Sequence, residues 1–132
     1  MGSEAPFRKK VVEAFRENDY GWPIENSAVP GMSDILGVKG DAFFFVETKF
    51  CEGLFDKVKF QAFQPNWIKN QVDKGFEVWI AIKIGKGHHA TYALMEGKDV
   101  HWCENKQAKE VLDNPKAYVT NDFQKLCKLM LK

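Results

Sequence analysis

The sequence predicts an α/β domain with a mixed central β-sheet flanked by helices, and three observations carry that expectation. Residues 42–50 and 77–84 are rich in apolar residues on both alternating faces (Phe43-Phe44-Phe45-Val46, then Val78-Trp79-Ile80-Ala81-Ile82), the pattern of strands buried on both sides. Phe7, Val11 and Phe15 recur every four residues, the stripe of a helix packed on one face. Between and after these come further helical and extended segments in the order helix, hairpin, helix, strand, strand, helix, helix, with no internal repeat. The 132 residues suffice for one core, so residues 1–132 are read as one domain.

The first helix is expected over residues 4–18. Ser3 suits its N-cap, and Glu4 and Pro6 suit its first turn. Val12 and Ala14 flank the apolar stripe. Glu4 lies three residues before Phe7 and shares that stripe, whereas Glu13 is about 200° from Val11 and faces solvent. Glu4 therefore either caps the helix or reaches inward. Residues 18–23 are read as the end of the helix, Ile24 as extended or irregular, and residues 26–31 as a defined turn. Two strands then meet at Lys39-Gly40-Asp41. Residues 51–59 are mixed in character and expected to be mobile. A second helix spans residues 60–74, with Phe63, Trp67, Ile68 and Val72 as its apolar stripe and Gly75 after its end. Pro65 allows a start nearer Gln64. Residues 77–84 form a buried strand, 85–89 a turn, 90–95 an outer strand, and 104–112 a short helix. A last helix covers 123–131, capped by Asn121 or Asp122, with an apolar face of Phe123, Leu126, Cys127 and Met130.

Composition excludes little. A hydrophobic share of 45% with 28% charged residues is that of an ordinary globular protein, and a net charge of +1 shows no global excess for binding nucleic acid. Arg8, Lys9, Lys10, Lys57 and Lys59 form either a local basic patch or a solvated face. Three widely spaced cysteines without a C-x-x-C pair argue against disulfides and zinc, and fit a reducing, cytoplasmic compartment. No signal or membrane-spanning stretch is read. His88-His89 reads as a solvated turn, and His101-Trp102-Cys103 has no partner spaced to complete a metal or nucleophile site.

The chemistry concentrates in residues 31–50. Strand alternation puts Glu47 and Lys49 on one face at the end of a buried strand, with Val46 and Thr48 on the other. Two such charges are costly to desolvate unless something charged joins them, and a divalent metal with a phosphate would do so. Asp34 opens the preceding strand of the hairpin.

Gly31-x-x-Asp34, then twelve residues, then Glu47-x-Lys49 resembles the PD-(D/E)XK nuclease superfamily, with Ser33 where proline usually precedes the aspartate. Glu4-Ala5-Pro6-Phe7 resembles the helix-one glutamate of small phage VRR-type nucleases and archaeal Holliday-junction resolvases. Residues 25–34 are similar to the loop before the metal aspartate in such phage proteins. Gln64-x-x-Trp67 resembles their Q-x-x-W motif. The resemblance covers residues 4–84; residues 90–132 match nothing by sequence. It implies a restriction-endonuclease-like core and Mg²⁺-dependent hydrolysis of DNA, with Mn²⁺ as a substitute and no organic cofactor. Asp34, Glu47, the Thr48 carbonyl and potentially Glu4 would serve the metal, with Glu4, Asp34, Glu47, Lys49 and Gln64 as catalytic residues. It also implies branched DNA as substrate and an enzyme of phage or mobile-element type; two symmetric cuts across a junction would need two sites and hence a homodimer, for which the apolar face of the last helix is a candidate interface. The alternatives are a nicking, flap or restriction-like nuclease, or a silent nucleic-acid-binding subunit.

Overall fold

A computed structural model describes residues 4–17, 21–23 and 33–132. Residues 1–3, 18–20 and 24–32, with the N-cap expected at Ser3 and the turn expected at 26–31, lie outside the described residues. Helix α1 (Glu4–Glu17) is followed by strands β1 (Gly21–Pro23), β2 (Ile35–Lys39) and β3 (Ala42–Cys51), helix α2 (Gln64–Asp73) and strands β4 (Glu77–Ile84) and β5 (Thr91–Glu96). Helices α3 (Val100–Cys103) and α4 (Ala108–Asp113), strand β6 (Tyr118–Thr120) and helix α5 (Phe123–Leu131) complete the order. The six strands form one mixed sheet in sequence order, with only β3 and β4 parallel. That parallel pair needs a crossover, and residues 52–76 with α2 supply it.

Alternation along the strands divides the interior into two cores. Phe44 and Val46 of β3, Ala81 of β4 and Tyr92 and Leu94 of β5 pack with α1 and α5 on one face. Cys51, Val78, Ile80, Ile82, Ala93 and Met95 pack on the other against Ile68 of α2, Val100 and Cys103 of α3 and Val111 of α4. The expected stripe Phe7, Val11 and Phe15 is buried, as are Val12 and Ala14, while Glu13 is exposed.

The hairpin closes through a two-residue loop in which Gly40 has φ 62°, the conformation that favours glycine in such turns. Pro65 sits in the first turn of α2, where its missing N–H costs nothing. Asp122 caps α5 by accepting a hydrogen bond from Gln124 N at 2.9 Å. At the other end of that helix Lys39 donates to the carbonyls of Met130 (3.0 Å) and Lys132 (2.7 Å) and pairs with Glu77 at 2.8 Å.

Several expectations are corrected. Residues 21–23, read with the end of the first helix, add an edge strand to β2. The 90–95 strand is not outermost, because β6 pairs along it. The helix expected at 104–112 begins only at Ala108, since Asn105 takes a left-handed backbone (φ 59°) after α3. Phe63 is no part of a buried stripe: it is the N-cap of α2 and 63% exposed. Residues 51–59 are not loose, because Val58 is buried and its N–H and C=O bond Lys106 O (2.8 Å) and Asn105 N (3.0 Å). The apolar face of α5 (Phe123, Leu126, Cys127 and Met130) is buried within the protein, so it is not available as a dimer interface.

Gly37 faces Phe44 across the hairpin, and a Cβ there would lie 2.2 Å from the Phe44 ring. Gly37→Ala should therefore displace that buried ring and lower stability by about 1–3 kcal/mol in urea or thermal unfolding. Phe43→Ala, on a half-exposed ring of the same strand, should stay within about 0.5 kcal/mol of wild type. An unchanged midpoint for Gly37→Ala would contradict the packing.

Candidate active site

The site forms where the β2–β3 ladder stops. The last pair in register is Ile35 with Val46, so the next residues along each strand are Asp34 and Glu47. Beyond it β3 runs on to Cys51 paired, among the described residues, only with β4. The two acids therefore stand at the mouth of an opening between adjacent strands, where the sheet leaves one side of β3 uncovered by β2. Asp34 is fixed to the uncovered stretch: one of its oxygens accepts from Thr48 N (3.0 Å) and Thr48 Oγ1 (2.8 Å). Glu4, in the first turn of α1, comes from the other helical layer to the same opening. Ligand atoms of Glu4, Asp34 and Glu47 all lie within 4.8 Å of one another.

Glu47 and Lys49 share the face that looks toward α2, and both are buried. Gln64 closes a ring with them. Its Oε1 accepts from Lys49 Nζ at 2.9 Å and from the backbone N–H of Gln61 at 2.9 Å, while its Nε2 donates to Glu47 Oε2 at 2.7 Å. A backbone N–H can only donate, so the Gln61 contact sets the amide orientation and aims the NH₂ at Glu47. Lys49 Nζ also pairs with Glu47 Oε2 at 3.1 Å and sits 4.6 Å from the centre of the Phe60 ring.

This leaves Glu47 half satisfied. Oε2 has two donors, but Oε1 is buried without a hydrogen-bond partner among the described residues. An orphaned buried acceptor costs roughly 1–3 kcal/mol, and the bare oxygen belongs to the acid that clusters with Asp34 and Glu4. Three hard oxygen donors with one free buried lone-pair site are a set suited to a divalent cation such as Mg²⁺. The residues present fit such an ion.

Burial is the main cause of unusual titration here. It pushes the Glu47 carboxyl up to about 8, with the Asp34 charge adding to the rise and Lys49 opposing it. Glu4 is also raised, first by burial, with Lys49 and Arg8 opposing and Asp34 assisting. The three thiols are buried and pushed up to about 11 (Cys51) and about 12 (Cys103, Cys127). They are protonated at neutral pH, so His101-Trp102-Cys103 offers no thiolate nucleophile. His101 is instead exposed and 3.3 Å from Glu104.

Among the residues considered for nucleic acid, Arg8 lies nearest the site, its guanidinium 3.9 Å from Asp34. Lys10 sits over the Phe123 ring at 4.3 Å, and Lys9, Lys57 and Lys59 are exposed. Two participants were not anticipated from sequence: Phe60 beneath the Lys49 ammonium, and the Gln61 N–H that orients Gln64. Neither residue type carries a signal of such a role.

No family model matches the chain, and the search of curated proteins finds no match. Among solved structures it is similar to the 1.6 Å structure of Hjc from Archaeoglobus fulgidus, a Holliday junction resolvase from an archaeal hyperthermophile. The likeness has a TM-score of 0.51 at 15% identity and covers 69% of this chain and 73% of Hjc. The fold is resolvase-like. The sequence resemblance to archaeal resolvases is thus borne out in architecture, as is the expected mixed sheet flanked by helices. No helix among the described residues is long and apolar enough to cross a membrane.

The Glu47 shift has a consequence for stability in the presence of a chelator. Between its ordinary 4.5 and about 8, the folded protein holds a proton that the unfolded chain has lost. Stability should therefore fall as pH rises through that window. Glu47→Gln should remove this component, so wild-type stability relative to the variant should decline between pH 4.5 and 8 in urea unfolding. A flat difference would contradict the burial of an ionisable, half-satisfied Glu47.

Proposed function

We propose that this chain is a Mg²⁺-dependent endonuclease that hydrolyses DNA phosphodiester bonds, with residues 1–132 acting as one nuclease domain. The carrying observation is the convergence of Glu4, Asp34 and Glu47 within 4.8 Å, beside a buried Lys49 held by Gln64. Asp34, Glu47 and the Thr48 backbone carbonyl would hold the ion, Glu4 directly or through water, and Mn²⁺ would substitute. When bound, the metal supplies Lewis-acid activation and neutralises phosphate charge.

The chain's own residues do the rest. Lys49 orients the attacking water and offsets charge building on the phosphate, as a compact ammonium in a desolvated site can. Gln64 and the Phe60 ring fix its position. Gln64 also holds one oxygen of Glu47, leaving the other free for the cation. Arg8 is half-exposed beside Asp34 and suits a contact to a neighbouring phosphate.

The likeness to a Holliday junction resolvase supports branched DNA as the substrate and a DNA-recombination or repair setting. Two symmetric cuts across a junction need two sites, so a homodimer is expected by mechanism. Its interface must lie away from the buried face of α5.

Two measurements test this reading. With Mg²⁺, Asp34→Ala, Glu47→Ala and Lys49→Ala should each fall below about one-hundredth of wild-type cleavage while keeping a cooperative unfolding transition. Glu4→Gln should lose much activity while Glu13→Gln, on the exposed face, keeps it. Full activity in any of the three alanine variants would contradict the assignment. A four-way junction should be cut in preference to linear duplex, flap and single strand of equal length. Equal cutting of linear duplex would replace junction resolution with a restriction-like or nicking activity.

A further inference from the structure

Residues 52–63 connect the strand that carries Glu47 and Lys49 to the helix that begins at Gln64. This connection exposes apolar side chains: Phe55 is 70% exposed, Phe63 63% and Leu54 46%. A loose loop would fold such rings against the surface, but this one is held. Lys109 N donates to Leu54 O and Ala108 N to Asp56 O, both at 2.8 Å, and Asp56 Oδ2 accepts from Gly53 N at 2.9 Å. Val58 is buried as an anchor. Phe63 is set by its place as N-cap of α2, its carbonyl bonded to Trp67 N at 3.1 Å. Its next neighbour, Gln64, is buried and bonded to both Glu47 and Lys49. Lys57 and Lys59 alternate through the same connection with their side chains exposed.

We propose that Phe55 and Phe63 are base-stacking residues that select DNA with unpaired or unstacked bases beside the scissile phosphate. The inference rests on the nuclease reading and specifies its substrate class. Nucleobases present flat π-faces to aromatic rings, and lysines beside those rings match the phosphates between successive bases. A paired duplex hides its base faces in the stack, whereas a branch point, flap or single strand offers them. A backbone already held by these hydrogen bonds loses little freedom on binding. Phe60, three residues before Phe63, has its ring turned inward under Lys49. The connection thus supplies one ring to the catalytic lysine and two rings to solvent.

The test is binding in Ca²⁺ to a four-way junction, a flap, a single strand and a linear duplex of equal length, read by fluorescence anisotropy. Quenching of 2-aminopurine beside the cut position reports stacking directly. Phe55→Ala and Phe63→Ala should each weaken binding to the four-way junction, the flap and the single strand, all of which offer unstacked or unpaired base faces, by roughly 10-fold, and leave the linear duplex within about twofold. Phe55→Trp and Phe63→Trp should restore both affinity and quenching. Lys57→Ala should weaken all four DNAs alike. Unchanged affinity of both alanine variants, in a wild type that binds these DNAs, would overturn the stacking role and leave the nuclease reading standing. An equal loss on linear duplex would also overturn it. So would a loss of self-association by light scattering with DNA affinity unchanged, which would assign the rings to a protein contact. A wild type that binds none of the four DNAs would overturn the nuclease reading and the stacking role together.

Discussion

A glutamate with no exposed surface, one oxygen held by Gln64 and Lys49 and the other bare, is the constraint on which the rest of the site depends. Burying Glu47 is costly, and the cost shows in a carboxyl pushed up to about 8. The surrounding structure offsets part of it. The parallel β3–β4 pair buries the strand, α2 brings Gln64 across it, and the backbone N–H of Gln61 fixes which end of the amide faces the acid. Replacing this arrangement with apolar side chains would make an ordinary strand. What keeps it polar is that the acid carrying the free oxygen clusters with Asp34 and Glu4.

Sheet geometry explains why the acids meet. In a complete antiparallel ladder, Asp34 and Glu47 would be one more cross-strand pair, and two like charges opposite each other would destabilise it. Here the pairing ends one step earlier, and Asp34 turns instead to the N–H and hydroxyl of Thr48. Arg8 from α1 stands on its other side. The opening thus gains acids from two strands and a helix, while each keeps a stabilising partner or a share of solvent.

Much of this was legible in the sequence for simple reasons. The four-residue spacing of Phe7, Val11 and Phe15 set the phase of α1, which put Glu13 outward and left Glu4 able to reach inward; Glu13 is exposed, and Glu4 is half-buried in the acid cluster. The apolar runs marked β3 and β4, and Gly40 marked the hairpin. Features set by partners distant in sequence were hidden. β1 and β6 have three residues each, too few for a periodic signal, and exist because β2 and β5 offer edges. The 51–59 segment looked irregular because its order comes from hydrogen bonds to residues 105–109 rather than from its own pattern. The apolar face of α5 looked like an interface because amphipathicity does not say whether the covering surface belongs to the same chain. Phe60 and Gln61 act through a ring face and a main-chain N–H, which every phenylalanine and nearly every residue possesses.

If Glu4, Asp34 and Glu47 are a cation site, metal titration followed by thermal unfolding tests it most directly. Mg²⁺ and Mn²⁺ should raise the midpoint of the wild-type protein, because an ion bound only by the folded state stabilises by about 2.7 kcal/mol at 100 times its Kd. The shift should grow as pH rises toward 8 and Glu47 gives up its proton, and it should vanish in Asp34→Asn and Glu47→Gln. A wild-type midpoint indifferent to both metals, or variants that respond as the wild type does, would contradict it.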